Sequence, residues 1–96
     1  MAIQSFTKSE LKEFFETGKA PKKAQWQEVK KIVARKLDML DYASVLNDLK
    51  SPPGNHLEAL EKDLKGLHSV RVNDQWRIVF EWTDQGPAQV RIMDYH

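Results

Sequence analysis

Hydrophobic and polar positions follow two different rhythms along this chain, and the change from one to the other falls near residue 55. Leu11, Phe14 and Phe15 share a face at helical spacing, Gly18 follows as a stop, and Thr7-x-x-Glu10 ahead of them has the spacing of a capping box. A helix of two to three turns is predicted there. Trp26, Val29, Val33, Leu37 and Leu40 then recur every three or four residues, and Pro21 suits a first helical position, so 21–42 reads as a longer amphipathic helix. Its polar face carries Lys22, Lys23, Lys30, Lys31, Arg35 and Lys36. The pattern therefore predicts a helical hairpin that buries aromatic and aliphatic side chains and leaves lysines in solvent.

Ahead of the hairpin, Ile3-Gln4-Ser5-Phe6 has the alternation of a short strand. After it, Ser51-Pro52-Pro53-Gly54-Asn55 can neither continue a helix nor sit in a central strand. A short segment 56–60 and a turn over 61–66 lead into three runs of period-two alternation, 67–72, 76–82 and 88–93. The predicted architecture is α+β: an N-terminal strand, a helical hairpin, then an antiparallel sheet of about four strands with the helices on one face, all in a single domain spanning 1–96.

The loop at Asn73-Asp74-Gln75 decides which side chains share a face. With three loop residues, Val72 opposes Trp76, Val70 opposes Ile78 and His68 opposes Phe80, which gathers the apolar residues on one side. Arg71 and Arg77 then stand directly opposite each other on the other side. Two like charges across an antiparallel pair repel unless an anion or a carboxylate such as Glu81 lies between them. By the same parity Arg91, Met93 and Tyr95 join the arginine face, with Lys65 nearby.

Composition adds limits. Ninety-six residues, 41% hydrophobic and 30% charged, suit an ordinary folded chain with one core. The lack of cysteine excludes disulfides and thiolate zinc sites, and no apolar run is longer than three residues, so a soluble, cytoplasmic protein without a membrane partner is expected. The net charge of +1 conceals an asymmetry: residues 1–36 hold nine Lys or Arg against four Asp or Glu, and residues 37–96 hold six against ten. The N-terminal half presents a basic surface, either simply solvated or suited to a polyanion.

His56, His68 and His96 lack metal-ligand spacing, and no phosphate-cradling glycine loop or nucleophile elbow is present, so neither a metal nor another cofactor is expected. What remains is a cationic sheet face, an aromatic for stacking and a histidine. That inventory fits cleavage of an RNA backbone, in which the 2′-hydroxyl attacks the adjacent phosphorus. A base takes its proton, cations meet the developing charge, an acid protonates the leaving 5′-oxygen, and an aromatic ring holds an unstacked base. The same residues would also serve a protein interface.

The opening I-x-S-F, the segment L-E-A-L-E-K-D-L-K-G at 57–66, the run H-S-V-R-V-N-D-Q-W-R-I-V-F at 68–80 and the terminal D-Y-H resemble the HigB branch of the RelE/ParE toxin superfamily along essentially the whole chain. The resemblance implies a type II toxin that cuts messenger RNA on the ribosome. It also implies a helix-turn-helix antitoxin as partner and binding of operator DNA through their complex. On this chain it carries catalysis to Arg77 as the transition-state cation and to Asp94, Tyr95 and His96. Lys65, Arg71, Arg91, Lys22, Lys23, Lys30 and Lys31 are the expected RNA contacts.

One departure stands out. Relatives typically read L-H-P-L where this chain has Leu57-Glu58-Ala59-Leu60, so Glu58 takes a histidine's place, and Glu61 that of a following lysine. A carboxylate is a weak base for a 2′-hydroxyl unless burial or neighbours raise its pKa, and a slower enzyme is expected. The alternative is a non-enzymatic toxin of the same fold that binds and inhibits a protein or ribosomal target.

Overall fold

The computed structural model of the chain describes residues 2–94. Helix α1 spans Ser9–Thr17 and buries Leu11 and Phe14. It stops at Gly18, which takes a left-handed φ of 80° and returns its N–H to the Phe14 carbonyl at 2.8 Å, a conformation that glycine adopts without a Cβ clash. The expected capping box does not form. Thr7 instead gives its backbone N–H to the Val90 carbonyl at 3.1 Å, and the N-cap falls on Lys8, whose backbone is extended and which makes no side-chain cap bond.

The second helix is shorter than the predicted 21–42. Residues 21–29 run through turns, with Ala24 N–H on the Pro21 carbonyl at 3.0 Å and a 3-10 turn at Gln27–Val29. The Gln27 side-chain amide also donates to the Pro21 carbonyl at 2.6 Å, so that oxygen is engaged without a helix. The turns swing Trp26 edge-on against Phe14, with ring centroids 5.0 Å apart. Helix α2 proper is Lys30–Tyr42, and it fully buries Val33, Leu37 and Leu40.

Four strands follow: β1 (Glu58–Ala59), β2 (His68–Arg71), β3 (Trp76–Thr83) and β4 (Gly86–Asp94). They form one antiparallel sheet in the order β1-β2-β3-β4. The β2–β3 register is the predicted one, with His68 opposite Phe80, Val70 opposite Ile78 and Arg71 opposite Arg77. Helices and sheet enclose Phe14, Trp26, Leu37, Leu40, Val70, Ile78, Phe80 and Val90 in one core.

The N-terminal segment is not a strand. It lies parallel to β4 and makes one isolated bridge, Phe6 with Val90. The register of β3 against β4 shifts between Val79 and Glu81, and Gln89 sits at φ 51° in that stretch, giving its N–H to the Ser5 hydroxyl at 2.8 Å. A kinked edge offers too short a regular ladder for the segment to pair along.

Lys36, expected on the solvated face of α2, is buried. Its ammonium donates to the Asn55 side-chain oxygen, and Asn55 is itself fully buried. Burial, with smaller contributions from Arg35 and Arg71, lowers the Lys36 pKa below its ordinary 10.5. No helix among the described residues is long and apolar enough to cross a membrane.

Two outcomes follow from this packing. Leu37→Ala should cost about 2–5 kcal/mol of unfolding free energy, read as a lower urea midpoint at unchanged slope. The depressed Lys36 pKa means that, between its folded value and 10.5, the unfolded chain holds the extra proton. Stability attributable to Lys36 therefore rises with pH across that window, and below it the burial penalty is complete. The unfolding free energy of wild type relative to Lys36→Met should increase as pH climbs from 7 towards 10.5, and a flat difference would contradict the assignment.

Candidate functional site

The register aligns Glu58, Ser69, Val79 and Arg91 in one row across the four strands, with Arg71, Arg77 and Met93 one position along on the same side. This is the face turned away from the main core, so the predicted parity holds. It is not the open cationic surface that alternation suggested, because Ser69 and Val79 are fully buried and Arg77 is only 8% exposed.

A nearly buried guanidinium needs acceptors, and Arg77 has them. Its Nε donates to the Ser69 hydroxyl at 2.7 Å, and its Nη2 donates to the His56 carbonyl at 2.5 Å. The Ser69 carbonyl adds a longer contact at 3.4 Å. Arg71 turns the other way and pairs with Asp74 in the β2–β3 loop. The two opposed arginines thus avoid each other by diverging, and the carboxylate beside Arg71 belongs to Asp74 and not to Glu81.

The remaining expected residues fall in different places. Glu58 is exposed on β1, in the same row as the serine that holds Arg77. Asp94 stands opposite Trp76, on the core side of the sheet, and accepts from the Gln75 side chain at 3.0 Å, so its carboxylate does not share a face with Arg77. Tyr95 and His96 lie outside the described residues. Lys65 is exposed just after the 3-10 turn Lys62–Leu64 that joins β1 to β2. Arg91 and Met93 border a cavity of about 340 Å³ whose other walls include Lys8, Trp26 and Trp76.

Lys22, Lys23, Lys30 and Lys31 are all exposed, the first pair in the turns before α2 and the second in its opening turn. Cations at a helix N-terminus oppose the helix dipole, a position that disfavours them unless a polyanion is nearby. His68, whose ring stacks on Phe80 at 6.2 Å, belongs to the core side as expected.

Sequence reasoning missed Ser69, His56, Asn55 and Lys36. A signal existed for Ser69, a small hydroxyl residue at the parity of two arginines. None existed for His56, which acts through its carbonyl, or for Asn55, whose burial depends on how the Ser51–Asn55 stretch folds back.

Comparison with known proteins bears on the whole chain. Toxin HigB-1 of Vibrio cholerae serotype O1 is 40% identical over 96 residues, covering 100% of this chain and 98% of that protein. An uncharacterized protein of Haemophilus influenzae is 48% identical over 52 residues, 54% of this chain and 52% of its own length. Among solved structures, the YoeB-YefM complex from Staphylococcus aureus superposes with a TM-score of 0.54 at 18% identity, covering 100% of this chain and 99% of that one. The YoeB/ParE toxin from Agrobacterium tumefaciens gives 0.55 at 18%, with 100% of both chains covered, and these two likenesses establish the fold. Residues 4–96 match the family described as RelE-like toxin of type II toxin-antitoxin system HigB. With helices, sheet register and whole-length similarity in agreement, this chain belongs to the HigB-like family of RelE-like toxins of type II toxin–antitoxin systems.

Proposed function

We propose that this toxin is a ribosome-dependent messenger RNA endoribonuclease that inhibits translation by metal-independent attack of a 2′-hydroxyl on the adjacent phosphorus. The observation that carries this reading is Arg77, a guanidinium fixed by Ser69 and His56 on the sheet face that also holds Glu58 and Arg91. A cation held in place before substrate arrives stabilises developing phosphorane charge without having to reorganise. In this reading Glu58 takes the 2′-hydroxyl proton, Tyr95 stacks on the base, and His96 protonates the leaving 5′-oxygen. Arg71, Arg91 and Lys65 guide the phosphates, and Asp94 acts from the far side of the strand end.

The lysines at 22, 23, 30 and 31 supply the docking surface for ribosomal RNA, where the polyanion relieves their conflict with the α2 dipole. The partners are then the ribosome and messenger RNA, a cognate helix-turn-helix antitoxin, and operator DNA through the antitoxin complex. The site of action is the cytoplasm, and 1–96 works as one toxin domain. Within the family, the S-P-P-G-N stretch at 51–55 and V-N-D-Q-W-R at 72–77 resemble those of the GraT toxin.

Purified toxin added to ribosomes translating a defined message should give codon-phased cuts on primer extension. Arg77→Lys should slow them by about 10²–10³, the range for losing one transition-state donor. His96→Ala should abolish them, and Glu58→Gln should slow them if Glu58 is the base. Growth arrest that persists in His96→Ala without any cuts would instead identify a non-enzymatic inhibitor. Lys30→Gln with Lys31→Gln should weaken ribosome binding and reduce its log–log salt slope by about one for each phosphate no longer neutralised. A slope unchanged by these substitutions would remove the lysines from the interface.

A further inference from the structure

Arg77 is oriented in part by a carbonyl, and that carbonyl has its own support. His56 sits at φ 44°, a left-handed conformation uncommon for a residue with a Cβ, and closes the 3-10 turn Pro53–Asn55 through its N–H to the Pro53 carbonyl at 3.1 Å. The height of the His56 carbonyl above the sheet is therefore set by the turn. That turn is anchored by Asn55, whose side-chain amide donates to the Leu49 carbonyl at 3.1 Å and the Ser51 carbonyl at 3.2 Å. The Asn55 side-chain oxygen accepts from the buried Lys36 ammonium. Lys36 lies on the face of α2 that also buries Val33, Leu37 and Leu40.

A buried ammonium bonded to a neutral amide is an expensive arrangement, since the amide returns less than a carboxylate would for the lost hydration. An apolar side chain at position 36 would pack more cheaply against the same core. The geometry points to a use: we propose that Lys36 and Asn55 are positioning residues that tie α2 to the 53–56 turn and so fix the Arg77 guanidinium through the His56 carbonyl. Its catalytic meaning rests on the nuclease reading given above; the positioning itself does not.

The test uses the full chain with ¹⁵N-labelled arginine and reads proton exchange at the Arg77 Nε–H beside that of the Phe80 backbone amide in the core. In Asn55→Ala and Lys36→Met, Arg77 exchange should rise by about tenfold or more while Phe80 changes less than about twofold, a local loosening distinct from global destabilisation. Lys36→Arg, which keeps a donor to Asn55, should stay close to wild type. On ribosomes, Asn55→Ala should lower the single-turnover cleavage rate by about 10- to 100-fold, as a displaced catalytic group does, without a change in the half-saturating ribosome concentration. That loss should largely disappear in an Arg77→Lys background, because residues acting in one chain are non-additive.

Unchanged Arg77 exchange in both variants, or exchange that rises in step with Phe80, overturns the proposal even if wild type cuts RNA. Faster Arg77 exchange in a protein whose wild type makes no cuts supports the positioning and refutes the nuclease reading. Should Asn55→Ala and Lys36→Met fail to fold, Asn55→Asp decides the matter. It keeps the acceptor for Lys36 but removes the amide that donates to the Leu49 and Ser51 carbonyls, so Arg77 exchange must still rise.

Discussion

Much of this molecule is organised around one constraint: a guanidinium nearly buried on an inner strand of a sheet must find acceptors that do not move. Arg77 meets it with the hydroxyl of Ser69, its diagonal neighbour on β2, and with a carbonyl from a turn 21 residues away in sequence. The first acceptor depends on register, because a one-residue slip would send Ser69 to the opposite face. The second depends on the 51–57 segment folding back against the sheet. A side chain that requires both makes strand pairing and loop placement mutually dependent.

The β2–β3 hairpin shows how far sequence could carry that logic. Alternation on both sides of Asn73-Asp74-Gln75 admits one loop length that collects Val70, Val72, Trp76, Ile78 and Phe80 on one side, and the observed register is that one. The loop is closed by the Asn73 side chain, which accepts from the Gln75 and Trp76 N–H groups at 2.9 and 2.7 Å. Here local turn chemistry and hydrophobic pattern agree, and agreement between levels is what makes an element readable.

Where the levels disagree, the pattern misleads. Thr7-x-x-Glu10 has capping spacing, but the Thr7 backbone is committed to β4, a contact 83 residues away that no local motif announces. Pro21 and the spacing from Trp26 onwards read as one helix, yet the chain runs through turns up to Val29 and these set Trp26 against Phe14. Lys36 reads as solvent-facing because lysine usually is, and its burial becomes legible only once Asn55 is brought to it. In the candidate site the side chains on the strands were readable from parity. The turn that supports them was not, because its contribution is a backbone oxygen.

The opposed arginines divide the labour between them. Both stand at the same rung of the ladder, and both carry the same charge, yet their surroundings differ sharply. Arg71 pairs with Asp74, whose side chain is 99% exposed, and a pair so open to water and salt is weak and easily exchanged for another anion. Arg77 is held by partly or wholly buried acceptors, where each hydrogen bond resists breaking because water has little access to replace it. One rung thus offers an exchangeable cation next to a fixed one. In the nuclease reading proposed above, a substrate phosphate arriving on this face would draw Arg71 away from Asp74 at little cost, while Arg77 kept the orientation set by Ser69 and His56. The repulsion between the two, which would be a liability in an ordinary hairpin, then favours the state in which an anion lies between them.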